Sequence, residues 1–132
     1  MFEAYINRSL AYQVKSCIGL ITFSTRAAVS QPITDIIEDF RNSTRGVSCS
    51  GYTALWDALA LAHENLSEYG QQFPGVKKRI ICLSDGEDTK SVHTAERVCL
   101  ALQVVPLFSF KTYLRIARSY RCRFVYYRER AK

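Results

Sequence analysis

Two carboxylates, Asp85 and Asp88, directly follow an apolar run at residues 80–83. A short run of this kind, rich in β-branched residues and closed by Gly86, predicts a buried strand rather than a helix. Strands that are apolar on both faces belong to parallel sheets covered by helices, and the loops after such strands carry ligand chemistry. We therefore expect both carboxylates at the functional edge of a sheet.

Thr53 is the third residue whose position suggests chemistry. It follows Gly51 and precedes the clearest helical pattern of the chain, residues 54–69, in which apolar residues recur at helical spacing. Each of the three residues also has a structural alternative. These alternatives are a helix N-cap for Thr53, a turn residue for Asp85 and a solvated loop charge for Asp88.

No grouping of side chains indicates catalysis. His63 and His93 stand alone on polar faces, and no candidate nucleophile lies beside a base. We therefore predict that the protein is not an enzyme. The alternative is a fragment of an α/β enzyme that uses Asp85 as a base, although no phosphate-cradling glycine loop accompanies it.

Alternating strand and helix patterns position these residues. Residues 17–23 and 79–84 predict buried strands, and residues 27–31 a short edge strand that Pro32 limits. Helices are predicted over residues 2–12, 34–40, 54–69 and 91–103, with Gly70 as the C-cap of the third and Ser91 as the N-cap of the fourth. This order of elements predicts a layered α/β domain.

The composition is that of one globular domain. The chain has 132 residues, of which 48% are hydrophobic. No apolar run approaches the roughly 18 residues that a membrane helix requires, and the first residues do not form a signal peptide. We expect an intracellular, cytoplasmic protein without a membrane span, whose five cysteines are reduced.

The net charge of +6 is concentrated at one end of the chain. Residues 105–132 contain eight basic residues and one acidic residue, whereas the rest of the chain is nearly neutral. Aromatic residues are interleaved with these basic ones, so nucleic-acid or acidic-surface binding is an alternative function. The basic residues are Lys111, Arg115, Arg118, Arg121, Arg123, Arg128, Arg130 and Lys132.

Three motifs follow a distinctive order and spacing. Gly51-Tyr52-Thr53 opens a long helix, and a strand ends in Leu83-Ser84-Asp85-Gly86. Upstream lies a strand of the form Ile18-Gly19-Leu20-Ile21-Thr22-Phe23. Together, these motifs resemble a von Willebrand factor type A domain. The resemblance covers about residues 2–103, so we divide the chain into a partial domain, 1–104, and a basic aromatic tail, 105–132.

The resemblance implies a fold and a function. The fold is a Rossmann-like, mostly parallel sheet flanked by helices, with a metal-ion-dependent adhesion site at one edge. Thr53 and Asp85 match two of the loops that hold Mg²⁺, and Gly51, Gly86 and Asp88 are auxiliary positions. Mg²⁺ prefers about six oxygen ligands, and an open position on the ion takes a carboxylate from a partner protein. The implied function is that of a non-enzymatic protein–protein interaction module with an unknown partner.

The departures from the family pattern are as informative as the matches. The loop Asp-x-Ser-x-Ser is missing, and so is the family's first strand, which would lie between the strands at residues 17–23 and 79–84. The chain thus resembles a domain truncated at its N-terminus. We expect that Thr53 and Asp85 alone bind no Mg²⁺ and that the chain has no cofactor. We also expect that the two flanking strands pair directly or that the tail fills the gap, and that the chain is aggregation-prone or molten in solution.

Overall fold

The computed structural model describes residues 7, 11–12, 16–47, 51–84, 87–104 and 124–130. The predicted helix over residues 2–12 lies mostly outside this range. The strands are β1 (Ile18–Phe23), β2 (Ala27–Thr34), β3 (Lys77–Leu83) and β4 (Phe124–Arg130). The helices are α1 (Ile37–Arg45), α2 (Leu55–Gln72) and α3 (Ala95–Val104). The predicted α/β fold is confirmed.

Strand β1 is the core of the sheet and is buried on both faces. Ile21 and Phe23 pack with α2 and α3, together with Ile80 and Cys82 from β3. Ile18 and Leu20 point to the opposite face, where they pack against Phe40 of α1. Alternating side chains of one strand therefore contact helices on both sides, and the described residues form three layers.

The edge strand β2 is longer than its sequence predicts, because it continues past Pro32 to Thr34. Its antiparallel register with β1 shifts between Ile18 and Leu20. Such an irregularity at a sheet edge accommodates a residue that has no N–H to donate.

Helix α2 also extends beyond its predicted end. Gly70 lies inside the helix and the C-cap is Phe73, whose N–H donates to the Tyr69 carbonyl over 3.1 Å. A Cβ at Gly70 would lie within about 2 Å of the Lys78 side chain. These atoms are the mobile end of a lysine side chain, which can shift, so the contact does not require a glycine here. Gly70 does not end the helix.

Strand β4 lies between β1 and β3, in the order β2-β1-β4-β3. Of the two expected arrangements, direct pairing of β1 with β3 and filling of the gap by the tail, the structure has the second. Within the described sheet every hydrogen-bonded pair is antiparallel, so the expected parallel pairing is not found there. The reason is that β4 runs opposite to both neighbours, while β1 and β3 share one direction. The division into a domain and a tail at residue 105 falls beside a stretch outside the described residues and stays a prediction.

Candidate functional site

The candidate site lies at the edge of the sheet where β1 and β3 end. Gly51 begins the segment that crosses this edge toward α2. Its φ is +85°, a left-handed conformation that side chains rarely adopt, and a Cβ would lie 2.9 Å from the Thr25 hydroxyl. The Ala54 N–H then donates to the Ser24 carbonyl over 2.8 Å. Gly51 and Ala54 thus hold the segment against the end of β1.

Thr53 is buried, with 3% of its surface exposed, and its backbone is bonded to the loop after β3. Its N–H donates to the Thr89 hydroxyl over 3.0 Å, and its carbonyl accepts from the N–H groups of Thr89 and Lys90. The N-cap of α2 is Ala54, without a side-chain cap of its own. The alternative in which Thr53 caps the helix is therefore wrong.

Asp88 caps α2 from a distant part of the chain. Its Oδ1 accepts from the Leu55 N–H over 2.7 Å and from the Trp56 N–H over 3.4 Å. The Ser91 hydroxyl also donates to Oδ1, and the Ser91 N–H donates to Oδ2 over 3.3 Å. The first N–H groups of a helix need such acceptors and carry partial positive charge. Asp88 is therefore not the solvated loop charge that the sequence suggested.

Ser91 completes this cap. Its hydroxyl oxygen accepts from the N–H groups of Trp56 and Asp57, at 2.9 and 3.1 Å. Ser91 was expected to cap α3, which instead begins at Ala95, after Thr94, whose hydroxyl accepts from the Arg97 N–H over 3.4 Å. The sequence prediction thus assigned Ser91 to the wrong helix.

Asp57, in the first turn of α2, binds the same loop in return. Both of its oxygens accept from the Val92 N–H over 3.0 Å, and Oδ1 accepts from the His93 N–H over 2.9 Å. The His93 ring Nδ1 lies 2.7 Å from Oδ1. The sequence suggested that His93 stands alone, but the structure shows that it contacts Asp57.

These contacts determine the pKa of Asp57. Burial raises the pKa, but the hydrogen bonds from the His93 and Val92 backbone, with the hydrogen bond and charge of the His93 ring, outweigh it and lower the pKa below the ordinary 3.8. A lowered folded-state pKa means that the ionised carboxylate stabilises the fold above the ordinary pKa. This stabilisation is lost as the pH falls through the lowered value.

We predict a measurable acid dependence from Asp57. The free energy of unfolding of the natural chain should fall as the pH drops below about 3.8, and Asp57→Asn should flatten this part of the profile. His93→Ala keeps the two backbone donors and should retain part of the slope. Urea titrations at a series of acidic pH values measure both effects. Identical profiles for the natural chain and Asp57→Asn would contradict the assignment.

The described residues alone do not complete a Mg²⁺ site. Thr53 is buried, and both oxygens of Asp88 accept hydrogen bonds from α2 or Ser91. Across the described ranges, no group of three His, Cys, Asp or Glu residues is close enough to hold a metal ion. Asp85 and Gly86 lie outside the described residues, so their metal role stays a prediction.

The other predicted groups are only partly described. Arg128 and Arg130 belong to β4. Arg128 pairs with Ile18 of β1 and Arg79 of β3, and Arg130 pairs with Lys77 of β3. The other six basic residues of the tail lie outside the described ranges.

Among the described cysteines, Cys82 is buried, and burial raises the pKa of its thiol to about 12. Cys82 is therefore a packing residue with little thiolate character.

A cleft of about 430 Å³ opens beside these contacts. Its walls are the turn between β1 and β2 and the loop between β3 and α3, and its floor is one face of α2. The lining residues are Thr25, Arg26, Ala27, Asp57, Ala60, Leu61, Glu64, Lys90, Val92 and His93. Sequence reasoning selected none of these as site residues, because they come from three separate segments.

Comparison with known families identifies the domain. Residues 2–87 match the von Willebrand factor type A domain family. The chain belongs to this family. In this von Willebrand factor type A domain, Thr53 and Asp85 lie inside the matched region, whereas Asp88, Ser91 and β4 lie beyond its end.

One relative is a much longer protein. A protein of Acanthamoeba polyphaga mimivirus named "Probable bifunctional E2/E3 enzyme" is 41% identical over 93 residues. The alignment covers 67% of this chain but 7% of the relative, so the chain spans a small part of that protein's length. The prediction that the protein is not an enzyme is contradicted, because the relative is named as an enzyme. That prediction considered only groups within one domain.

No helix in the described part of this von Willebrand factor type A domain has both the length and the apolar character needed to cross a membrane.

Proposed function

We propose that this von Willebrand factor type A domain is the partner-binding part of an E2/E3-type enzyme. In this role it brings a partner protein to the enzyme. Family membership supports a role in protein interaction, and the name of the mimivirus relative supports the enzymatic context. The proposal concerns the contribution of this domain, which corresponds to a small fraction of the relative's length.

The observation that carries the proposal is the hydrogen bonding between the start of α2 and the loop after β3, together with the open cleft beside it. Asp88 and Ser91 bind the start of α2, and Asp57 binds back to Val92 and His93. Contacts in both directions fix the loop before any partner arrives. A preformed surface loses less conformational freedom on binding and therefore binds more tightly.

We further propose that this binding needs no metal ion. The Asp88 carboxylate is used by the helix N-terminus, so it is not free to replace the waters of Mg²⁺, an ion that loses them reluctantly. The domain then differs from the family's metal-dependent mode of adhesion. The partner then contacts side chains of the domain directly and not through an ion.

A parallel selection tests the proposal. The full chain is immobilised and exposed to a phage library of random peptides and, separately, to a random single-stranded RNA pool, each with EDTA or with Mg²⁺. We expect peptides to be enriched equally in both buffers and RNA not to be enriched. Enrichment of RNA alone would favour the basic tail as the binding element. Enrichment of peptides only with Mg²⁺ would show that a metal site forms, and no enrichment at all would overturn the proposal.

A further inference from the structure

We propose that the cleft on α2 binds an extended segment of a partner protein that carries an acidic side chain next to an apolar one. This inference rests on the proposed partner-binding function and specifies where the partner binds and by which chemistry. It follows from the charges, the apolar groups and the rigidity of the cleft.

The cleft holds two cations and two carboxylates, and one of the two carboxylates is already bonded within the protein. Within the described residues, the Arg26 guanidinium has no ion pair or hydrogen bond, and the Lys90 ammonium contacts only the Tyr52 ring, at 4.9 Å from its centroid. The Asp57 carboxylate, in contrast, is occupied by Val92 and His93. A cleft with two available cations favours a carboxylate in its ligand.

Glu64 is the remaining acidic residue of the cleft, and it restricts the ligand. Glu64 lies one turn of α2 after Ala60 and Leu61, and therefore farther from the start of the helix than Asp57. A chain of closely spaced phosphates would meet repulsion from Glu64 after contacting Arg26 and Lys90. A peptide with a single acidic group avoids this repulsion, and we therefore choose a peptide over a nucleic acid.

The apolar part of the cleft selects the neighbouring side chain of the ligand. Val92 is 89% exposed at the cleft, although its side chain is apolar, while Ala60 and Leu61 are half-buried on the α2 face. Covering such a group with an apolar side chain is favourable by roughly 25 cal/mol per Å² of buried area. The ligand should therefore place a leucine-like or valine-like residue beside its carboxylate.

The geometry of Arg26 suits this role. Arg26 lies in the tight turn between β1 and β2, where the Ser24 N–H donates to the Arg26 carbonyl over 3.0 Å. The turn fixes the backbone, and the exposed guanidinium can present two parallel N–H donors to one carboxylate. Lys90 follows Thr89, whose bonds to Thr53 fix the other wall.

The test uses individual peptides from the library selection, labelled with a fluorophore and titrated with the full chain in EDTA. We expect the enriched sequences to share an acidic residue adjacent to an apolar one. Arg26→Glu and Lys90→Glu should each weaken the Kd about tenfold or more, since a charge-assisted pair is replaced by repulsion. Arg97→Glu, an equal charge reversal on the exposed surface of α3, should leave the Kd unchanged.

A complementary peptide keeps the test specific. Replacing the acidic residue of the peptide by lysine should abolish binding to the natural chain and restore part of it to Arg26→Glu. Unchanged urea unfolding of the exposed-site variants shows that the fold is intact. Enriched peptides without an acidic residue, or equal affinity for the natural chain and Arg26→Glu, would overturn the cleft proposal while partner binding stands. Failure of all peptides to bind would instead overturn the partner-binding function and this inference with it.

Discussion

Proline at position 125 is expected to disrupt the fold, whereas proline at position 29 should cost less. Val125 of β4 pairs with Ile21 on one side and Cys82 on the other. Val29 of β2 pairs with the same Ile21, but from the outer strand of the described sheet. The two valines therefore lie on either side of Ile21, Val125 in a central strand and Val29 in the outer strand.

The physical reason is the direction of the backbone N–H groups. In a central strand each N–H points to a neighbouring strand, so a proline there always removes a sheet hydrogen bond and leaves a buried carbonyl without its donor. We expect Val125→Pro to cost about 3 kcal/mol or more of unfolding free energy. An edge strand tolerates proline better, and β2 already contains Pro32. Urea unfolding followed by circular dichroism measures both costs.

Deleting residues 124–132 should have a still larger effect. Without β4, the edges of β1 and β3 face each other across a gap of two strand spacings, about 10 Å. Neither strand can cross it while both remain packed on α2. Several unpaired backbone groups at about 1–3 kcal/mol each approach the total stability of a small domain. The truncated chain should therefore lose its cooperative transition.

The control for this deletion is removal of residues 131–132 alone, which leaves β4 complete. This shorter truncation should unfold like the full chain, and the full chain should unfold cooperatively, because β4 removes the unpaired edges on which the expectation of a molten state was based. A cooperative transition in the chain without residues 124–132, or equal costs for the two prolines, would show that β4 is not the central strand in solution.

Local patterns in the sequence were sufficient for some elements and insufficient for β4. The apolar runs of β1 and β3 and the helical period of α2 are properties of neighbouring residues, so they could be read directly. In the sequence alone, the segment at 124–127 is compatible with either a strand or a helix. Its state depends on pairing with Ile18–Phe23 and Lys77–Leu83, which are far away in the chain. Such pairing leaves only a weak local signal.

The candidate site shows the same limit. Thr53 was located correctly at the start of α2, because the glycine-containing segment and the helix adjoin in the sequence. Asp88 and Ser91 were misread, because rules for helix caps consider residues beside the helix, and these two lie more than 30 positions away from the N–H groups that they bind. The Asp57–His93 contact spans 36 positions. A useful signal would have been the absence of a good cap at Ala54.

Asp88→Ala is expected to lower the unfolding free energy by about 2–3 kcal/mol. The substitution removes the acceptor of the Leu55 N–H, the nearest of the α2 bonds at 2.7 Å, and frees the Ser91 hydroxyl that also binds Asp88. Hydrogen bonds to charged groups are the strong ones, and the negative charge at a helix N-terminus adds to them. Glu87→Ala, at the exposed neighbouring position, should change the value by less than about 0.5 kcal/mol.

The Asp88→Ala variant also distinguishes a helix cap from a metal ligand. If Asp88 caps α2, its replacement costs the same free energy in EDTA as in excess Mg²⁺, because the cap needs no ion. If Asp88 instead contributes to a bound ion, Mg²⁺ stabilises the natural chain through ligand binding, and the cost of Asp88→Ala increases with the concentration of the ion. Ser91→Ala provides a further check, since Asp88 and Ser91 share a hydrogen bond and should couple by more than about 0.5 kcal/mol in a double-mutant cycle. A cost that depends on Mg²⁺, or independent effects of the two residues, would contradict the cap.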